Sequence, residues 1–137
     1  MKIRREVKAY IEAELRDYQL TRKELEELKE DIRHETSDKD DGGGKSSAIS
    51  NPTEQRVIKL VTNKRIRRME QVVNAIEVVT QELPQEKLKL VQLKYWTRPR
   101  RLTDAGIAAQ LSCNSRTVHK WTNGICLAIA GELGLIK

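Results

Sequence analysis

Residues 103 to 121 read Thr-Asp-Ala-Gly-Ile-Ala-Ala-Gln-Leu-Ser-Cys-Asn-Ser-Arg-Thr-Val-His-Lys-Trp, and this stretch constrains the fold more than any other. Two apolar sets at helical spacing flank a short polar interruption. Ile107, Leu111, Cys113, Val118 and Trp121 supply the contacts of two steeply crossing helices, and the small Ala108 lets their backbones approach. Thr103 suits the cap of the first helix, with Asp104 in its first turn set against the helix dipole. Asn114 suits the cap of the second. The pattern predicts a helix-turn-helix whose supporting helix spans 103 to 111 and whose second helix starts at Ser115. An amphipathic hairpin of a plain bundle shares the apolar spacing but not the cap between two matched apolar sets.

Charge agrees with a DNA-binding reading of that motif. The chain of 137 residues carries a net charge of +6. Residues 84 to 137 hold nine Lys or Arg against three Asp or Glu, while the rest of the chain balances at seventeen of each. The excess therefore sits with the motif, as release of counterions from phosphates requires. A solvated basic surface is the alternative for charge taken alone.

The composition is that of an all-α protein: no Phe, three Pro, and abundant Leu, Ile, Glu, Lys and Arg. Ile11, Tyr18, Leu25 and Ile32 recur every seven residues, widened by Ile3, Val7, Leu15 and Leu28. Thr21-Arg22-Lys23-Glu24 has the form of a capping box, so helices are expected over 2 to 18 and 22 to 35. Their narrow seam needs the next long helix or another subunit. Residues 1 to 35 thus form an N-terminal helical, oligomerising region, and 36 to 51, with three adjacent glycines, a flexible linker. That glycine run lacks the spacing of a nucleotide loop and follows no strand.

Asn51-Pro52-Thr53-Glu54 predicts a helix start, and a long central helix follows over 52 to 83. Met69, Val72, Ile76, Val79 and Leu83 keep its apolar spacing. Lys64, Arg65, Arg67 and Arg68 form either a solvated face or a secondary phosphate contact. Pro84 opens a helix to about 96 whose Leu88, Leu90, Val91, Leu93, Tyr95 and Trp96 make it a buried spine, the aromatic pair being core. Beyond Trp121 the pattern continues through Ile125, Ile129 and Leu133 to a stop at Gly134. Asn123-Gly124 is either a turn or, as we favour, part of a continuous helix in which Gly124 costs about 1 kcal/mol.

Several elements of residues 84 to 137 resemble phage late-gene transcriptional activators of the RinA/ArpU type. They are Leu93-Lys94-Tyr95-Trp96, Gly106-Ile107-Ala108, Ser115-Arg116-Thr117-Val118 and Glu132-Leu133-Gly134. Ile107-Ala108, Leu111 and Thr117-Val118 are also similar to the sigma-factor domain that reads the upstream promoter element. The region of Tyr18, Leu25, Leu28 and Ile32 resembles the helical N-terminus of those activators, and Ser112 stands where a Gly is common in the turn. The resemblance implies a sequence-specific activator of packaging and morphogenesis genes, with a sigma-like helix-turn-helix domain over 84 to 137.

On this reading Arg116 makes the leading base contact, because its fork matches the two acceptors of guanine; Ser115, His119, Lys120 and Asn123 follow. Arg98, Arg100, Arg101, Thr103 and Thr117 are expected at phosphates, although the arginine connector serves equally as a solubilising loop. The expected partners are double-stranded DNA, a second copy or a higher homo-oligomer, and RNA polymerase. Cys113 and Cys126 read as reduced thiols without zinc-ligand spacing, so no metal or cofactor is expected. With no apolar run of membrane length and a charged N-terminus, a cytoplasmic location without membrane contact is expected. A phage terminase small subunit is the nearest alternative, although such proteins usually carry the motif at the other end. A helical adaptor without DNA binding is an alternative of another class. No nucleophile–base pair, paired-carboxylate metal site or nucleotide loop argues for an enzyme.

Overall fold

The computed structural model describes residues 2–38, 52–97 and 102–136, and within them the chain is all-α. The helices are α1 (Arg5–Asp38), α2 (Pro52–Gln81), α3 (Gln85–Val91), α4 (Asp104–Gln110) and α5 (Ser115–Glu132). A π-helical segment, Gln92–Trp96, continues α3. No described helix is long and apolar enough to cross a membrane. Residues 39–51 of the expected linker, including Asn51, and the connector arginines Arg98, Arg100 and Arg101 lie outside the described residues.

The expected break at Gln19 to Thr21 does not occur, and α1 also runs three residues past 35. A capping box requires its first residue to leave the helical conformation, whereas nothing near Thr21 (neither Gly nor Pro) interrupts the helix. Tyr18 and Leu25, seven residues apart, are both buried, so the same face is held on either side of the supposed break. Arg22 adds an i,i+4 ion pair to Glu26 across that turn. Ile32, the last member of the heptad series, is 38% exposed instead of buried.

Two compact units divide the chain differently from the boundaries drawn on the sequence. One comprises Met1–Gln19 with Val72–Lys137, and the other Leu20–Gln71. In the first, the start of α1 belongs to the core: Ile11 and Leu15 are fully buried, as are Ile76, Leu90, Val91, Ile107, Val118 and Ile129. That part of the seam is closed within a single chain. The buried Thr80 and Thr122 hydroxyls donate to the carbonyls of Ile76 and Val118, each at 2.8 Å, which satisfies them inside their own helices.

The end of α2 tightens through i→i−3 bonds from Glu82 and Leu83, and Pro84 then bars its continuation. The helix expected over 84 to 96 is present with Leu90, Val91 and Tyr95 buried but Leu88, Leu93 and Trp96 only half-buried, and its second half is a wide π turn. The wider turn brings Leu90, Val91, Lys94 and Tyr95 onto the buried side together. In the second unit, α1 and α2 bury Leu25, Ile66 and Met69 and are joined by the ion pairs Lys29–Glu70 and Arg65–Glu24, at 3.5 and 3.7 Å.

Candidate nucleic-acid interface

Local hydrogen bonding defines both helices of the hairpin formed by α4 and α5. Thr103 is extended and its Oγ1 accepts from the Gly106 backbone N–H at 3.2 Å, which starts α4. At the other end Ser112 has φ +57, and the amides of Ser112 and Cys113 donate to the carbonyls of Ala109 and Ala108. This is the Schellman arrangement, with a serine in the left-handed position that glycine usually occupies. Asn114 follows at once, its Oδ1 accepting from the Thr117 N–H at 2.9 Å and the Thr117 hydroxyl at 3.0 Å. One helix is closed and the next opened within Leu111 to Asn114. That economy fixes the crossing of α4 and α5, which pack on each other.

α5 buries Val118, Thr122, Ile125, Cys126, Ile129 and Ala130 along one face. Arg116, His119, Lys120 and Asn123 fall at i, i+3, i+4 and i+7 on another, so they share a flank of the helix. Ser115, Arg116, His119 and Lys120 are exposed. Asn123 is half-buried, with its Oδ1 enclosed and unbonded. Thr103 is exposed, whereas the half-buried Thr117 spends its hydroxyl on Asn114. α5 runs unbroken through Gly124, where a Cβ would meet nothing within 4 Å, to a second Schellman closure at Gly134, φ +73.

What holds the hairpin in place is a polar network that the spacing of residues did not reveal. Lys94 is buried, 3.3 Å from Asp104 at the start of α4 and 3.9 Å from Glu12 in α1. The Tyr95 hydroxyl donates to Glu12 at 2.6 Å, and the Trp96 indole donates to the Leu15 carbonyl at 3.0 Å. Trp96 also stacks on Tyr18, with ring centroids 5.2 Å apart, and the Tyr18 hydroxyl donates to Glu77. Of the aromatic pair expected in the core, Tyr95 is buried and Trp96 is half-buried. Burial and the bond to Glu12 hold the Tyr95 hydroxyl far above its usual ionisation range. Burial, and secondarily the charge of Glu12, push the Cys126 thiol up to about 11. Lys87 lies over the Trp121 ring, 5.8 Å from its centroid, which ties α3 to α5. Among the described residues no group of three or more His, Cys, Asp or Glu is placed to hold a metal ion.

Fold and site together define an all-helical protein whose capped, two-helix hairpin is braced by its own N-terminal helix. A family model described as protein of unknown function (DUF722) matches residues 8–130, so the chain belongs to that family. No curated protein and no solved structure matches it.

Proposed function

We propose that this chain binds double-stranded DNA through α4 and α5 as a helix-turn-helix, with α5 entering the major groove. The observation that carries the reading is the flank of α5. Arg116, His119 and Lys120 project to solvent from a helix whose other face is anchored by Val118, Thr122 and Ile125. A rigid helix that presents donors of fixed spacing meets the geometric demand of base-edge readout. No acidic residue lies in the first turn of α5, so its amino-terminal dipole and Arg116 favour the same anionic backbone.

Arg116 and Lys120 are the main reading residues in this scheme, with His119 and Ser115 beside them. Asn123 contributes less, because its enclosed Oδ1 leaves no acceptor–donor pair for an adenine edge. Thr103 and the connector arginines Arg98, Arg100 and Arg101 set register on phosphates. The resemblance to RinA/ArpU-type activators supplies the biological part: a cytoplasmic, non-enzymatic activator, with a sigma-like domain, acting at promoters of phage packaging and morphogenesis genes. RNA polymerase is then a natural partner.

Selection of bound fragments from phage and bacterial genomic DNA, followed by binding titrations on the selected site, tests this reading. Arg116→Ala is expected to cost about 1–3 kcal/mol on that site and to relax preference at one base pair. Equal affinity of parent and variant for selected and random DNA overturns the assignment of α5. Absence of DNA binding at low salt overturns the function.

A further inference from the structure

We propose that the first half of α2 is a self-association surface, through which two copies of this chain pair. Val57, Ile58, Leu60 and Val61 lie within five residues and are 53%, 62%, 61% and 60% exposed. Val57, Leu60 and Val61 stand at i, i+3 and i+4, the spacing of a helix stripe that faces a partner. Three of the four are β-branched, a choice that weakens an isolated helix and is compensated by packing. Single exposed aliphatics are ordinary, but four in little more than one turn are a patch.

Charge identifies the occupant. In the unit Leu20–Gln71, the α1 portion from Leu20 to Asp38 carries seven Asp or Glu and four Lys or Arg. The α2 portion from Pro52 to Gln71 carries six Lys or Arg and two Asp or Glu. Opposite signs on two helices of one unit are self-complementary: a two-fold axis sets the basic helix of each copy against the acidic helix of the other. Lys29–Glu70 and Arg65–Glu24 already pair these helices within a chain. Arg56, Lys59 and Lys64, exposed around the aliphatic stripe, then form a charged rim about an apolar centre. A nucleic acid answers the cations but leaves four aliphatic side chains against phosphates. A second copy answers both. A stable pair buries about 800 Å² per partner, so the four aliphatics form the centre of the contact and the flanking charges its margin.

The pairing does not rest on the DNA reading and is tested without DNA. Sedimentation equilibrium of the full chain over a concentration series is expected to show twice the 15.8 kDa chain mass. Leu60→Gln/Val61→Gln is expected to weaken association at least about tenfold while helical content is kept, because both side chains are exposed. Val78→Gln, at an exposed valine of α2 outside the unit Leu20–Gln71, is expected to leave association unchanged. A single-chain mass throughout overturns the proposal, as does a double variant that associates as tightly as the parent or a Val78 variant weakened to the same degree. A monomer that loses affinity for DNA or lipid vesicles through the same double variant assigns the patch to that partner and overturns it equally.

Discussion

The indole N–H of Trp96 donates to the backbone carbonyl of Leu15 at 3.0 Å, joining residues 81 positions apart. The same ring stacks on Tyr18, so one side chain fastens the π segment to α1 by a hydrogen bond and an aromatic contact. Trp96→Phe keeps the stacking surface and loses the bond, for an expected cost of about 1 kcal/mol. Trp96→Ala also opens a cavity and is expected to cost about 3 kcal/mol or more. Equilibrium denaturation followed by circular dichroism gives both values. Equal stability of the parent and the Ala variant would show that the contacts of Trp96 with Leu15 and Tyr18 contribute nothing to this unit.

Lys94 stands buried between Glu12 and Asp104, and the two partners differ in exposure: Glu12 is 18% exposed and Asp104 40%. The second pair is partly screened by water, so its loss is cheap, whereas a Glu12 left without its cation is not. Lys94→Met, which preserves the aliphatic stem, is expected to cost about 2 kcal/mol. The double variant Lys94→Met/Glu12→Gln is expected to recover part of that, because no enclosed charge is then orphaned. Thermal melts of the parent and the two variants decide it, and a double variant no more stable than Lys94→Met contradicts the ion-pair account.

These two relationships mark where the sequence stops being legible. Caps are short-range chemistry, so Thr103, Asn114, the start of α2 at Pro52 and the stop at Gly134 can be read from neighbouring residues alone. Helical spacing likewise marks Ile11, Leu15, Ile76 and Val118 as core. Glu12 and Tyr95 lie 83 residues apart, and no periodicity announces that a glutamate on α1 accepts from a tyrosine of the spine. For the same reason α1 reads in the sequence as a separate oligomerising region, although its first half completes the unit that holds α4 and α5. Thr21 misleads in the opposite way. Its local signal favours a helix start, and burial of Tyr18 and Leu25 on one continuous face prevails over it.

Ser112 holds φ +57 at the close of α4, a conformation that crowds any Cβ against backbone. Ser112→Gly is expected to stabilise the protein by about 1 kcal/mol and to raise the melting temperature by a few degrees, with DNA binding unchanged. Ser112→Val is expected to destabilise it, because a β-branched side chain tolerates the left-handed region least. A glycine variant that melts below the parent would mean that the serine hydroxyl outweighs the strain. Calorimetry of the three proteins orders them directly.

Cys126 is fully buried, and its thiol is raised from 9.0 to about 11 chiefly by that burial. The unfolded chain gives up this proton first as pH rises, so the folded state retains more protons between the two values. The group's contribution is therefore complete below about pH 9 and is lost as pH climbs through 11, a difference of about 2–3 kcal/mol. Tyr95, also raised from an ordinary value of 10.0 by burial and by Glu12, adds to the loss from about pH 10 upward. Denaturant titrations from neutral to alkaline pH are expected to show stability falling first over the thiol's range. Cys126→Ala should flatten that first part of the curve while keeping the later fall due to Tyr95. In the native protein, Cys126 is expected to resist a maleimide that labels the half-buried Cys113, until denaturant exposes it. Equal labelling rates for the two thiols would place Cys126 within reach of solvent and remove the cause of its raised ionisation.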